Sequence, residues 1–130
     1  MMKSLVIDDD FGSRMLLQRF LMEYGPVDAA PNGTEGLRLF RAAPEGEPYN
    51  LICLDIMLPD ISGQTVLKEI RATESARGGT RETGARIFMT TALQDKENVL
   101  EARPMCDAYL AKPFTRATLV TYLRKHGLIP

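Results

Sequence analysis

Short apolar runs alternate along the chain with longer segments in which apolar residues recur every three or four positions. A continuous β-prone run predicts a strand buried on both faces, and the three-to-four spacing predicts a helix lying against it. The first run, Lys3 to Asp8, carries Leu5, Val6 and Ile7 and is stopped by the acidic triplet Asp8, Asp9 and Asp10. From about Ser13 to Tyr24, residues Leu16, Leu17, Phe20, Leu21 and Tyr24 form one helical stripe, which Gly25 and Pro26 end. Val27 to Ala30 reads as a short strand. The turn Pro31, Asn32, Gly33 follows, and Thr34 can cap a helix carrying Leu37, Leu39 and Phe40 that stops before Pro44, Gly46 and Pro48.

Leu51 to Leu54 is a third strand with Asp55 at its end, and Pro59 and Gly63 punctuate the loop beyond it. Ser62 to about Thr73 predicts a helix with Val66, Leu67 and Ile70 on one face. The stretch Ser75 to Gly84 has Ala76 as its only apolar residue and reads as a solvated, mobile loop. Arg86 to Thr90 is a fourth strand, Asp95 to Arg103 a short helix and Cys106 to Ala111 a fifth strand. The last helix runs from about Thr115 to His126, with Leu119, Tyr122 and Leu123 inward and Gly127 as its stop. Five successive strand-helix units predict a doubly wound α/β fold, a five-stranded parallel sheet covered by five helices.

Composition narrows the functions this fold can host. The 130 residues, 45% hydrophobic, suit one domain with a full core, expected over residues 1–130 with no output domain after the last helix. A formal net charge of -1 supplies no global attraction to nucleic acid or to an anionic membrane, so direct nucleic-acid binding is not expected. No run approaches a membrane span and the N-terminus lacks signal-peptide organisation, which predicts a cytoplasmic protein. Cys53 and Cys106 lie far apart and His126 is the single histidine, a pattern of reduced, packed cysteines rather than a disulfide framework or zinc site.

Polar residues gather where the predicted strands end. Asp8 and Asp9 close the first, Asp55 the third, Thr91 the fourth and Lys112 the fifth, and in a doubly wound sheet these ends share one edge. Three carboxylates brought together repel one another unless a cation neutralises them, and a hard divalent ion such as Mg²⁺ accepts such an oxygen shell. Asp10 is better explained as a helix cap.

The acidic pair after Leu5-Val6-Ile7, the sequence Asp55-Ile56-Met57-Leu58-Pro59 with Gly63, Thr91-Ala92, and Tyr109 followed by Lys112-Pro113-Phe114 together resemble the receiver domain of response regulators in two-component signalling. The resemblance covers nearly the whole chain. It implies the flavodoxin-like receiver fold with strand order 2-1-3-4-5. It also implies that Asp55 is the phosphoacceptor nucleophile, with Mg²⁺ held by Asp9 and Asp55 directly, by the Met57 backbone carbonyl, and by Asp8 largely through water. Lys112 and the Thr91 hydroxyl would face the phosphoryl oxygens, and the Lys112-Pro113 bond would be cis. Thr91 and Tyr109 would form a switch that remodels an output face made of the fourth helix, fifth strand and fifth helix. The implied function is that of a phosphoacceptor, not a turnover enzyme, that receives its phosphoryl group from a histidine kinase or histidine phosphotransfer domain and controls a downstream protein.

Several positions depart from the family's habit. Arg103, Pro104 and Met105 lengthen a connection that is usually a short glycine-containing turn, and the loop Ser75 to Gly84, ringed by Arg71, Arg77, Arg81 and Arg86, is longer than usual. Met57 and Leu93 stand at two positions that tune phosphoryl lifetime in the family, and their apolar character predicts a long-lived acyl phosphate. Met15 and Met22 lie off the core stripe of the first helix, where they either finish the core or form an apolar docking patch. A haloacid-dehalogenase-type phosphatase would need a second Asp where Met57 stands. A flavodoxin-like cofactor binder would need a phosphate cradle where the sequence has Asp8-Asp9-Asp10-Phe11-Gly12-Ser13. A receiver-like interaction module that is never phosphorylated is the alternative that shares the fold.

Overall fold

The structure, a computed structural model, describes residues 1–92 and 105–130. Its strands are β1 (Ser4–Ile7), β2 (Val27–Ala30), β3 (Leu51–Asp55), β4 (Arg86–Ala92) and β5 (Ala108–Lys112). They form one parallel sheet in the order β2-β1-β3-β4-β5. Four helices lie among the described residues, α1 (Phe11–Leu21), α2 (Gly33–Ala42), α3 (Gly63–Ala76) and α4 (Arg116–Lys125), against the five expected. The helix expected over Asp95–Arg103 lies outside the described residues, as do Leu93, Arg103 and Pro104.

Alternation along each strand splits the core in two. Leu5 and Ile7, Ile52 and Leu54, and Ile87 and Met89 meet Leu37 and Phe40 of α2 and Val66, Leu67 and Ile70 of α3 on one face. Val6, Leu51, Cys53, Phe88 and Leu110 meet Leu17 and Leu21 of α1 and Leu119 and Leu123 of α4 on the other. Every residue of β1 and β3 is buried, which is why Leu5 to Ile7 and Leu51 to Leu54 read as unbroken apolar runs, with Ser4 and Asp55 as the buried polar ends.

Caps move the helix ends away from where periodicity puts them. Asp10 accepts the Ser13 amide and starts α1 two residues early, Asn32 rather than Thr34 caps α2, Ser62 caps α3 and Thr115 caps α4. Leu16 is a second correction: it is 45% exposed, because it lies about 90° around α1 from the centre of the stripe formed by Leu17, Phe20, Leu21 and Tyr24. Met15 and Met22 do not finish the core either, being 44% and 67% exposed.

The stretch Ser75 to Gly84 is not the free solvated loop its composition predicts. α3 runs on to Ala76, and the segment beyond it is tied down by a cluster that joins α3 to the start of β5. The Arg71 guanidinium donates to Glu74, to Asp107 and to the carbonyls of Ala85 and Met105. Glu74 in turn accepts the Ala85 amide at 2.7 Å, and Arg81 donates to the Cys106 carbonyl at 2.7 Å. Asp107 accepts the Ile87 amide, so β5 begins at Ala108 rather than Cys106.

Candidate functional site

Parallel pairing carries the polar strand ends to a common edge. Ile7 pairs with Leu54, Asp55 with Thr90 and Ala92 with Lys112, so the residues just beyond β1 and at the ends of β3, β4 and β5 become neighbours. Carboxylate oxygens of Asp8, Asp9 and Asp55 all lie within 4.8 Å of one another. Asp8 and Asp55 are buried, whereas Asp9 faces solvent.

Lys112 reaches into this cluster from β5. Its Nζ donates to Asp8 Oδ2 and to Asp55 Oδ2, both at 3.0 Å, an ammonium bridging two acids. The other oxygens of the two acids are also engaged: Asp8 Oδ1 accepts the Asp10 amide at 2.9 Å, and Asp55 Oδ1 accepts the Met57 amide at 3.1 Å. Arg14 donates to the Asp8 carbonyl at 2.9 Å and steadies the end of β1 against α1. The Lys112-Pro113 peptide is cis.

Burial pushes the Asp55 carboxyl up to about 6; the Lys112 charge and hydrogen bond and the Met57 amide oppose the rise, and the Asp8 charge adds to it. For Lys112, burial alone would lower the ammonium pKa, yet the hydrogen bonds and charges of Asp8 and Asp55 raise it overall. Cys53, buried two residues before Asp55 in β3, has its thiol pushed up to about 12 by burial first and Asp8 second, so it stays protonated and inert. The donor set fits a hard divalent cation: three carboxylates face one ammonium, and the oxygens converge from two strands.

Thr91 is buried at the end of β4, where its hydroxyl donates to the Ala92 carbonyl at 2.9 Å. Tyr109 lies two register positions back along β5, paired with Met89, and packs half-buried against the core beside Cys106. Met57 is 59% exposed immediately after the acid it follows. Along α1, Phe11, Met15 and Met22 are all exposed, and their spacing puts them on one stripe facing away from the core. Sequence reasoning did not anticipate the double engagement of Lys112, nor Asp60, whose two carboxylate oxygens hold the start of α2.

A family model described as the response regulator receiver domain matches residues 4–124. The chain belongs to the response regulator receiver domain family. It is 34% identical over 125 residues to the probable transcriptional regulatory protein SilR of Salmonella typhimurium, covering 95% of this chain and 50% of that protein. Likewise it is 35% identical over 125 residues to the transcriptional regulatory protein CusR of Escherichia coli K12, with the same coverage. The chain thus spans about half the length of these curated relatives. Among solved structures, a receiver domain protein from Clostridium thermocellum superposes with a TM-score of 0.80 at 26% identity, covering 97% of this chain and 94% of that one. Response regulator TrrA from Thermotoga maritima, solved in complex with Mg²⁺-BeF, gives a TM-score of 0.77 at 33% identity, covering 97% of this chain and 99% of that one.

Receiver domains are signalling modules of two-component systems and not turnover enzymes, and they bind Mg²⁺ at an acidic phosphorylation site. The Asp8, Asp9 and Asp55 cluster is compatible with that ion. Among the described residues, no helix is long and apolar enough to cross a membrane.

Proposed function

We propose that this receiver domain accepts a phosphoryl group on Asp55 and passes the change to a protein partner. One observation carries the reading: a buried carboxylate at the end of β3 stands in a cluster of acids and is bridged by the ammonium of Lys112. An Asp55 oxygen attacks the phosphorus of a phosphohistidine; a P–O bond forms, the P–N bond breaks and the leaving imidazole takes up a proton. Asp8, Asp9 and Asp55, with the Met57 main-chain carbonyl, would hold Mg²⁺, which when bound supplies positive charge beside the phosphoryl oxygens. Lys112 moves from its carboxylate partners to a phosphoryl oxygen, as a compact three-donor cation can. The Thr91 hydroxyl exchanges the Ala92 carbonyl for another phosphoryl oxygen, and Tyr109 moves into the space behind it. The output face then comprises β5, α4 and the segment expected as a helix over Asp95–Arg103.

The donor partner is a histidine kinase or a histidine phosphotransfer domain. Phe11, Met15 and Met22 recur at i, i+4 and i+11, a spacing that lays one helix along another, and Phe11 begins α1 directly after the acidic triplet. A helix bearing the phosphohistidine, docked on this stripe, would bring its side chain to the acidic edge. The net charge of -1 favours a protein over a nucleic acid as the direct partner of this domain. Such signalling between kinase and target takes place in the cytoplasm. Intact mass after incubation with Mg²⁺ and acetyl phosphate tests the acceptor: the wild type gains one phosphoryl group and Asp55→Asn gains none. A wild type that stays unmodified would leave the fold serving as an unphosphorylated interaction module.

A further inference from the structure

Beyond Asp55 the chain makes an excursion, Ile56 to Ser62, before entering α3. Both ends of it are fixed: the Ile56 amide donates to the Thr90 carbonyl at 3.1 Å and the Gly63 amide to the Ile56 carbonyl at 2.8 Å. Gly63 fits so closely that a Cβ there would lie 2.3 Å from the Asp55 carbonyl oxygen. The middle is fixed by a residue no role has been given. Asp60 faces solvent, yet its Oδ1 accepts the Gly33 amide and its Oδ2 the Thr34 amide, both at 2.9 Å. These are the first two amides of α2, whose own cap, Asn32, serves the Glu35 amide instead.

The arrangement concentrates binding strength on one exposed side chain. A carboxylate over a helix N-terminus is held by charge-assisted hydrogen bonds and by the helix dipole together. The Thr34 hydroxyl joins the two amides, and these contacts hold the Asp60 carboxyl well below the usual carboxylate range. Next to it, Ile61 packs onto Gly33 so tightly that a Cβ on that glycine would come within 2.5 Å of the Ile61 side chain. The loop is therefore stapled to α2 three residues after Met57, whose carbonyl is the proposed main-chain metal ligand.

We propose that Asp60 is a positioning residue for the phosphoacceptor site, anchoring the loop that carries Met57 to the N-terminus of α2 so that the Met57 carbonyl stays aimed at the metal. This rests on the reading of the acidic cluster as a Mg²⁺-dependent phosphoacceptor site. Leu58 and Ile61 also pack the loop onto the core, so loss of Asp60 loosens the carbonyl without releasing the loop. The direct carboxylate ligands are untouched.

Asp60→Ala is expected to weaken Mg²⁺ binding about tenfold, the lower end of the range for residues that orient a ligand rather than supply one. Binding is read by calorimetric titration of the metal-free protein with Mg²⁺, and by the Mg²⁺ dependence of acetyl phosphate labelling. The half-saturating Mg²⁺ concentration should rise while the labelling rate at saturating Mg²⁺ stays within about twofold, since the acceptor and Lys112 are intact. Asn32→Ala is the control, because it removes an equivalent cap from the same helix and leaves the loop contacts in place. Asp60→Asn, which keeps one acceptor oxygen, should fall between wild type and alanine, and Thr34→Val, which removes the hydroxyl contact alone, replaces Asp60→Ala if the latter does not fold. Equal Mg²⁺ affinity in Asp60→Ala and wild type, or an equal loss in Asn32→Ala, overturns the positioning role. A wild type that neither binds Mg²⁺ nor takes the label overturns the underlying reading as well, and the two failures are distinguishable by the wild-type titration.

Discussion

Replacing Asp55 with asparagine should stabilise the metal-free protein, and the gain should depend on pH in a defined direction. Asp55 has a residue exposure of 7%, and the desolvation that comes with it outweighs the pull of Lys112. The carboxyl ionises near its ordinary value of 3.8 in the unfolded chain and at about 6 in the fold. Between those limits the native state binds more protons than the unfolded state, so stability falls as pH rises across the interval and levels off above it. The difference corresponds to about 3 kcal/mol against the ionised form at neutral pH. Asparagine has a similar shape, can accept the Lys112 hydrogen bond and cannot ionise, so the variant escapes this loss. For a chain of this length the gap corresponds to roughly 10 °C in melting temperature.

Urea titrations followed by circular dichroism, with EDTA present, measure the gap between wild type and Asp55→Asn from pH 4 to pH 8. It should be near zero at the acid end and grow to its full size by about pH 7, the region above the raised ionisation. Mg²⁺ should then close it, because an ion at about 100 times its dissociation constant contributes roughly 2.7 kcal/mol to the state that binds it. An asparagine variant less stable than wild type at pH 7.5, or a gap that ignores pH, would refute the claim that burial dominates the ionisation of this acid.

Lys112→Ala should destabilise the metal-free protein by about 3 kcal/mol at pH 7, since Asp8 and Asp55 lose their shared cation, and Mg²⁺ should restore more stability to this variant than to wild type. The raised ammonium pKa means that the Lys112 contribution is whole below about pH 10.5 and disappears as pH climbs through the native value, which melts in alkaline buffer would register. Arg71→Ala should cost about 3 to 5 kcal/mol in urea unfolding, because Glu74 and Asp107 would be left largely buried without a counter-charge. Arg71→Lys should recover little of that, as an ammonium cannot span the two acids and two carbonyls that the guanidinium reaches.

What could be read from the sequence followed from how little freedom a buried parallel strand leaves. Leu5 to Ile7 and Leu51 to Leu54 are apolar at every position because both faces are covered, and the next residue, an acid in each case, falls at the carboxyl edge of the sheet. That argument located Asp8 and Asp55 without any knowledge of their contacts. It could not foresee Asp60, because one aspartate after a proline is ordinary loop chemistry and its partners, Gly33 and Thr34, lie 27 and 26 residues earlier. The same holds for the segment after α3. Its composition is that of a solvated loop, and its order comes from Asp107, 36 residues beyond Arg71. Leu16 failed for a different reason: it satisfied the apolar spacing but sat at the flank of a stripe too narrow to cover it.

The charge arithmetic of the site explains why a buried, reluctantly ionising acid can still serve as the proposed nucleophile. Three carboxylates against one ammonium leave two negative charges unbalanced, and the exposed position of Asp9 alone does not relieve Asp8 and Asp55. A divalent cation supplies the missing two charges. A bound divalent ion would set a nearer and larger positive charge against the burial that raises Asp55, and so would favour its ionised form. Lys112 would then no longer be needed to hold the acids together, and under the proposed function its ammonium would be free to meet an incoming phosphoryl group. On this account Lys112 would serve two charge deficits in turn, that of the acids in the metal-free state and that of the phosphoryl oxygens once a metal is held by the acids. The resting bridge from Lys112 to Asp8 and Asp55 is the state from which that sequence starts.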